Sequence, residues 1–240
     1  MKTNKKVVIL ILGSTNSDYE DLTQTIKDTW FNIKNEDVEI LFYTDNSKQE
    51  VKVDYPILNG SELILPCADG YHNIGIKTLM AFEWVLTNYN PDYIFRCNLG
   101  SFVDSNKIMQ FLQDKPTYQF YCGIVGEAFN LIKFASGSGY FLSNDLIKLI
   151  VDNNHLWAHS LCDDVAVGYL LNQFNICPNM LAKRLSYCNE EIYYQIGANT
   201  VNDIPNNQLY HIRCRSNDRK NDITKINNLY AQILLDNNLI

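Results

Sequence analysis

Two adjacent carboxylates, Asp163 and Asp164, open a stretch patterned as a helix and are followed by Val165 and Gly168. A carboxylate at the edge of a pocket can take the proton of an attacking hydroxyl. The same pair at a helix start can also do no more than complement the positive end of the helix dipole. Further on, Tyr210-His211-Ile212-Arg213-Cys214-Arg215 and then Arg219-Lys220 concentrate cations in a chain of net charge −7. That cluster is either a solvated basic face or a clamp for a diphosphate, whose oxygens accept charge-assisted hydrogen bonds. Between the carboxylates' neighbourhood and the preceding elements lies Ala135-Ser136-Gly137-Ser138-Gly139-Tyr140. Its small residues read as a flexible loop, and glycines there let backbone approach a ligand closely; a plain loop has the same composition.

Such groups work only if a scaffold brings them together. Strand-like and helix-like patterns alternate along the chain, which predicts an α/β sheet covered by helices. Residues 7–12 are continuously apolar, as in a strand buried on both faces; residues 39–44, 93–96 and 118–124 read as further strands. Helices are expected over 21–31, over 74–88, over 106–113 with Ser105 as its cap, after Ser143, and from about Asp163. The tail predicts an amphipathic helix with Ile226, Leu229, Tyr230, Ile233 and Leu234 on one face. No repeat, low-complexity tract or linker interrupts the pattern, so the expectation is one domain over residues 1–240. In open α/β sheets ligands lie beyond the carboxyl ends of the strands. That singles out Ser14-Thr15-Asn16 after the first strand, either a phosphate-holding turn or a plain one. It singles out Asp45 after the second strand, either an acceptor for ribose or base hydroxyls or a turn residue. After the third come Arg96 and Asn98, a guanidinium and an amide, with no carboxylate until Asp104.

Composition removes several classes of function. The hydrophobic fraction of 46% and charged fraction of 20% suit a folded domain with a sizeable core. The negative net charge argues against nucleic acid or an anionic membrane surface as partner. The seven cysteines are scattered with no C-x-x-C pair, so neither a zinc site nor a disulfide framework reads out; reduced thiols are expected. Lys2, Lys5 and Lys6 before the first apolar run superficially suggest a signal peptide, but the run is short and no small-x-small site follows. No run approaches the roughly 20 apolar residues of a membrane helix. The expectation is a soluble, cytoplasmic protein, and its Asn-, Lys-, Ile- and Tyr-rich usage suggests a bacterial or viral source.

Taken in order, these segments resemble the GT-A glycosyltransferases of the β-1,3-galactosyltransferase and Fringe group. Thr25-Ile26-Lys27-Asp28-Thr29-Trp30 is similar to that group's A-I-R-x-T-W helix, and Phe42-Tyr43-Thr44-Asp45 to its F-x-T-D strand end. Asp69-Gly70-Tyr71-His72-Asn73-Ile74-Gly75-Ile76-Lys77-Thr78 resembles D-x-Y-x-N-L-T-x-K-T. Gly137-Ser138-Gly139-Tyr140-Phe141-Leu142-Ser143 is similar to G-x-G-Y-x-L-S, and Asp163-Asp164-Val165-Ala166-Val167-Gly168 to E/D-D-V-x-x-G. The resemblance runs from about Val7 to His211, and its last two blocks are the specific ones. It implies a GT-A-like mixed sheet flanked by helices, a UDP-sugar donor, a hydroxyl acceptor on a glycan or protein, and inversion at the anomeric carbon. By position it gives the role of general base to Asp164, with Asp163 as its neighbour.

One departure stands out. The segment from Tyr93 to Val103 falls on the family's Y-x-x-K-x-D-D-D-x-F-V, but Asn98-Leu99-Gly100 replaces its three carboxylates. A hard divalent cation prefers carboxylate oxygens, so no metal is expected. Side-chain cations can balance a leaving diphosphate instead; Lys77, Arg96, His211, Arg213 and Arg215 are the candidates, with Ser14, Thr15, Asn16 and Asp45 lining the nucleoside. The expected function is transfer of a hexose, galactose or N-acetylglucosamine, without a metal cofactor. The alternative is a catalytically inactive module that binds a sugar nucleotide or glycan on the same fold.

Overall fold

Strand β1 (Val7–Leu12) lies at the centre of the molecule, with Val7 to Ile11 all fully buried. A computed structural model gives the arrangement of residues 6–33, 35–47, 52–189 and 191–236; Lys2 and Lys5 fall outside these described residues. β1 pairs in parallel with β2 (Val38–Asp45) on one side and β5 (Tyr93–Asn98) on the other. Adding β3 (Ile57–Asn59), β4 (Glu62–Leu65), β7 (Tyr121–Ala128) and β8 (Ile132–Ser143) completes a seven-stranded mixed sheet of order β3-β4-β2-β1-β5-β8-β7. Strands β3 and β8 run antiparallel to their parallel neighbours β4 and β5.

Strand residues alternate between faces, and the two cores follow that alternation. Val7, Ile9 and Ile11 pack with Leu22 and Ile26 of α1 (Glu20–Asp28), Ile108 of α3 (Ser105–Leu112) and Ile226 of α6 (Arg219–Asp236). Val8 and Leu10 pack with Phe82 and Val85 of α2 (Ile74–Asn88), Ile147 of α4 (Asn144–Asp152) and Leu170 of α5 (Asp163–Asn172). The chain leaves β1 outward through β2 and β4, then returns through α2 to β5. A crevice therefore opens where the carboxyl ends of β1 and β5 diverge, the usual ligand position in open α/β sheets.

A second sheet roofs this crevice. Its order is β11-β10-β9-β12-β6, from β6 (Ser101–Val103), β9 (Lys183–Cys188), β10 (Glu191–Ile196), β11 (Asn199–Val201) and β12 (His211–Arg215). Only two residues, Leu99 and Gly100, separate β5 from β6, so the turn between the sheets sits at the crevice. There the Cys214 N–H donates to the Gly100 carbonyl at 2.8 Å. A Cβ on Gly100 would lie 2.4 Å from the Cys214 carbonyl oxygen, so only glycine fits.

Several expected segments need correction. The stretch 135–140, read as a flexible loop, is the middle of β8 and is mostly buried. Its small residues serve close packing: a Cβ on Gly139 would lie 2.5 Å from the His211 ring, and one on Gly137 2.8 Å from Arg96 Nη1. The cap of α3 is Asp104, whose carboxylate accepts from the Lys107 N–H at 3.1 Å. Ser105 instead donates to the Ile33 carbonyl and accepts from the Asn35 N–H. Ser143 does precede α4, but its hydroxyl donates to Asp145 and accepts from the Phe120 N–H instead of closing the helix end. The strand expected over 118–124 starts at Tyr121, and that expected over 93–96 continues to Asn98. The helix expected over 21–31 ends at Asp28 and tightens into a 3₁₀ turn at Trp30–Asn32. In the tail helix Ile226 is fully buried, while Leu229, Tyr230 and Ile233 pack at the edge of the core.

His211, at the start of β12, shows how tightly the two sheets meet. Its ring packs edge-on against Phe95, with centroids 5.5 Å apart, and its Nε2 lies 3.1 Å from Ser101 Oγ. Burial, with the nearby charges of Arg184 and Arg213, holds its pKa well below 6.5. The folded chain therefore declines a proton that the unfolded chain accepts. This residue's contribution to stability is complete above pH 6.5 and is lost as pH falls, by up to about 1.4 kcal/mol per pH unit. Chemical denaturation of the parent and His211→Gln between pH 7 and 5 should show a shallower decline in the variant. Identical slopes would contradict a buried neutral imidazole.

Candidate active site

The crevice holds a cavity of about 420 Å³, within the range that accommodates a cofactor-sized or drug-sized ligand. One end of it is acidic. Asp45 ends β2 in full burial, and Lys77, one turn into α2, reaches it at 3.2 Å. Lys77 also meets Asp69 at 3.2 Å, and the Thr15 hydroxyl lies 3.1 Å from Asp45 and 3.2 Å from Asp69. One ammonium is thus shared by two carboxylates, leaving this end with a net negative charge. Burial works to raise the Asp45 pKa, but hydrogen bonds from Ser47 and the charge of Lys77 outweigh it and hold it at about 2. An ionised carboxylate accepts hydrogen bonds only, which suits ligand hydroxyl or N–H groups. Of this network, Asp69 and Lys77 line the cavity directly, together with Ser14 and Asn16; Thr15 and Asp45 stand behind them.

Below the cavity floor, Arg96 is buried and committed to the protein itself. It donates to the Tyr43 hydroxyl at 3.0 Å, to Asn98 Oδ1 at 2.8 Å and to the Gly137 carbonyl, and it pairs with Asp163 at 2.7 Å. Thr78 of α2 donates to the same Asp163 oxygen at 3.2 Å. Burial pushes the Asp163 carboxyl above the usual carboxylate range while Arg96 pulls against it. Neither partner lines the cavity. Asp164, half-buried beside them, accepts from the Gly137 N–H at 2.7 Å and from its neighbour Val165 N–H at 2.9 Å. Each of its oxygens keeps a free lone pair. Asp164 stands one layer behind the wall, since Ser138 and Tyr71 line the cavity while Gly137 and Cys162 flank Asp164's helix start.

The opposite end is basic. Arg213 and Arg215 alternate with buried Cys214 along β12 and point into the cavity, joined by Arg219 from the first turn of α6. Arg219 pairs with Asp222 at 2.9 Å and lies over the Tyr19 ring at 5.1 Å. Among the described residues, no carboxylate lies within ion-pair distance of Arg213 or Arg215. Burial and then the neighbouring Arg215 lower the Arg213 pKa. Behind Ser138, Arg184 of β9 is buried; burial and then Arg213 bring it down to about 10. Two closely spaced guanidiniums without a counter-charge favour an anion between them.

The position where a metal would be held does not supply its ligands. Asn98 Oδ1 is occupied by Arg96, Leu99 is buried in the core, and Gly100 admits no side chain. Among the described residues the cavity wall carries one carboxylate, Asp69, already shared by Lys77 and Thr15. A hard divalent cation takes several oxygens, carboxylates foremost, and this donor set does not fit one.

The sequence-designated residues thus divide into two sets. Ser14, Asn16, Lys77, Asn98, Ser138, Arg213 and Arg215 share the cavity wall. Thr15, Asp45, Arg96, Gly137, Gly139, Asp163, Asp164 and His211 support it from behind. Arg96 and His211 were expected to carry charge to a ligand; one is consumed by Asp163 and the other is neutral and packed on Phe95. Sequence reasoning left Asp69, Tyr71, Tyr19 and Arg184 without roles, and named Arg219 only within the cationic cluster. Asp69 and Tyr71 stood inside a quoted motif, and Arg219 inside the cationic tail. Arg184 carried no signal, because only the pairing of β9 with β12 brings it near the wall.

With the geometry in hand, the likenesses to known proteins fall on this framework. Residues 23–132 match the family model Galactosyltransferase. Beta-1,3-galactosyltransferase 1 of Mus musculus is 24% identical over 210 residues, covering 73% of this chain and 63% of that protein; the Homo sapiens protein gives the same values. Hydroxyproline O-galactosyltransferase GALT2 of Arabidopsis thaliana is 25% identical over 196 residues, covering 69% of this chain and 28% of that protein. This chain therefore spans less than two thirds of the length of these relatives. Among solved structures, the galactosyltransferase LgtC, in complex with donor and acceptor sugar analogs, aligns with a TM-score of 0.45 at 8% identity over 94% of this chain and 95% of that one. The glycosyltransferase GlyE of Streptococcus pneumoniae TIGR4 aligns with a TM-score of 0.38 at 11% identity over 72% and 44%. Among the described residues no helix is long and apolar enough to cross a membrane. By sequence, then, residues 23–132 match the Galactosyltransferase family model, and the chain is similar, at 24–25% identity, to a β-1,3-galactosyltransferase and a hydroxyproline O-galactosyltransferase.

Proposed function

We propose that this protein is a glycosyltransferase that moves a hexose from a UDP-sugar to a hydroxyl on a glycan or protein, with inversion and without a divalent cation. The observation that carries the reading is the polarity of the cavity, acidic at Asp69 and Asp45 and basic at Arg213 and Arg215. A nucleoside has hydroxyl and N–H donors for the acidic end. Its diphosphate has anionic oxygens for the basic end. The family relationship favours galactose as the sugar, and the donor set around Asn98-Leu99-Gly100 supports metal independence.

The chemistry needs few groups. Asp164 removes the proton of the acceptor hydroxyl as its oxygen attacks the anomeric carbon from the face opposite the diphosphate. The bond between that carbon and the diphosphate oxygen breaks, and the electron pair leaves with UDP. Arg213 and Arg215 meet the charge gathering on the leaving group, the kind of preorganised stabilisation that contributes most to such steps. The Gly137 N–H and the Arg96–Asp163 pair hold the carboxylate of Asp164 in place. A second reading, a binding module without turnover, is favoured by one observation: Asp164 stands behind the wall and accepts two backbone hydrogen bonds.

Assays of the parent against a panel of UDP-sugars separate the two readings, since a binding module holds UDP without consuming any donor. If Asp164 is the base, Asp164→Asn keeps donor affinity while transfer falls by roughly 10²- to 10⁴-fold. Transfer at the parent rate would remove Asp164 from the mechanism. Loss of donor affinity would move it to the donor site. The basic end has its own test, in which Arg213→Ala and Arg215→Ala each weaken UDP binding by about 1.5–3 kcal/mol, the usual worth of a charge-assisted hydrogen bond. Unchanged UDP affinity in both variants and in their combination would mean that the diphosphate lies elsewhere.

A further inference from the structure

Ser138, in the cavity wall, is held by groups from four strands. Its carbonyl accepts from Ser101 Oγ of β6 at 3.2 Å, and Ser101 Oγ is in turn 3.1 Å from His211 Nε2 of β12. Because Ser101 spends its one proton on that carbonyl, His211 Nε2 is the donor to Ser101. The Ser138 hydroxyl accepts from Arg184 Nη1 of β9, and it lies 3.0 Å from Ser136 Oγ in β8. The Ser138 N–H also points to Ser136 Oγ at 3.5 Å, and between the two hydroxyls either oxygen can be the donor. A hydroxyl has two acceptor lone pairs and one proton. With one lone pair taken by Arg184, the Ser138 hydroxyl keeps its proton and one lone pair, and when Ser136 is the donor the proton is free for a ligand in the cavity.

Arg184 is unusual in its own right. It is 3% exposed, and among the described residues no carboxylate lies within ion-pair distance of it. Its other terminal nitrogen donates to Gln195 Oε1 at 2.7 Å, and among the described residues its Nε has no hydrogen-bond partner. A buried guanidinium without a counter-charge is costly. Here it donates to the hydroxyl of a residue that lines the same cavity as Arg213. We propose that Arg184 is a positioning residue: it fixes and polarises the Ser138 hydroxyl so that its proton is donated to the leaving diphosphate. This inference rests on the nucleotide-sugar reading. It adds a neutral donor, backed by a buried cation, to the two arginines that face the same group.

Calorimetric titration of UDP and of uridine, with chelator present, tests it on four proteins beside the parent: Ser138→Ala, Arg184→Met, Arg184→Lys and the double variant Ser138→Ala/Arg184→Met. Ser138→Ala and Arg184→Met should each weaken UDP by roughly 10-fold or more and leave uridine unchanged. Arg184→Lys, which keeps one charged donor, should recover most of the loss. The double variant should bind UDP as the weaker single variant does, since Arg184 acts through Ser138. Parallel losses for UDP and uridine would reduce Arg184 to a structural role and overturn the proposal. So would additive effects, or unchanged UDP affinity in Ser138→Ala, which decides the matter even if Arg184→Met fails to fold. A parent that binds uridine and UDP equally would defeat the diphosphate assignment itself. A parent that binds neither would defeat the nucleotide reading, and this proposal with it.

Discussion

A buried guanidinium organises the end of the molecule that carries the candidate site. Arg96 rises from the last turns of β5 and engages β2 through Tyr43, β8 through the Gly137 carbonyl and α5 through Asp163. Asp163 in turn engages α2 through Thr78. Four elements that meet nowhere else in sequence are therefore fixed around one charge. Breaking a buried ion pair by removing one partner typically costs about 3–5 kcal/mol, because the other charge is left unsolvated. Replacing the whole pair with apolar groups can cost little, so its value lies in geometry. Asp164 follows Asp163 directly and accepts from the Gly137 N–H, next to the Arg96 contact. The position of the proposed base is thereby set by the same pair.

The second constraint is steric. At Gly100 the backbone of β12 lies against the turn that links the two sheets. That approach brings Arg213 and Arg215 to the cavity wall, and it removes the space in which a carboxylate would stand. The absence of acidic side chains at 98–100 and the arginines of β12, which among the described residues have no carboxylate within ion-pair distance, are thus parts of one arrangement. A side-chain cation fixed by a strand meets a phosphate without the reorganisation that free ions require. The acidic end has the complementary logic, with Lys77 placed between Asp45 and Asp69 at 3.2 Å from each.

Much of the framework was legible in the chain. The continuous apolar run of β1 and the helix expected over 74–88 gave the central layers, because hydrophobic patterning acts locally. The carboxylates opening α5 and the arginines of β12 could be singled out by type and order. Other features depended on distant pairing. Strand β8 was hidden because Gly-Ser-Gly reads as a loop, when His211 and Arg96 are what require the small residues. Arg96 and His211 carried the wrong role because a sequence shows charge-bearing types but not their burial or partners. Arg184 was silent for the same reason: its neighbours Ser138 and Gln195 are set by strand pairing alone.

The central claim is that Arg213 and Arg215, and not a divalent cation, meet the diphosphate, and UDP affinity measured by calorimetry tests it most directly. The titration is run in a strong chelator and repeated with excess manganese or magnesium. The account predicts the same affinity in all three conditions, with binding weakening as salt is raised because the contact is ionic. Binding that vanishes in chelator and returns with either cation would contradict it.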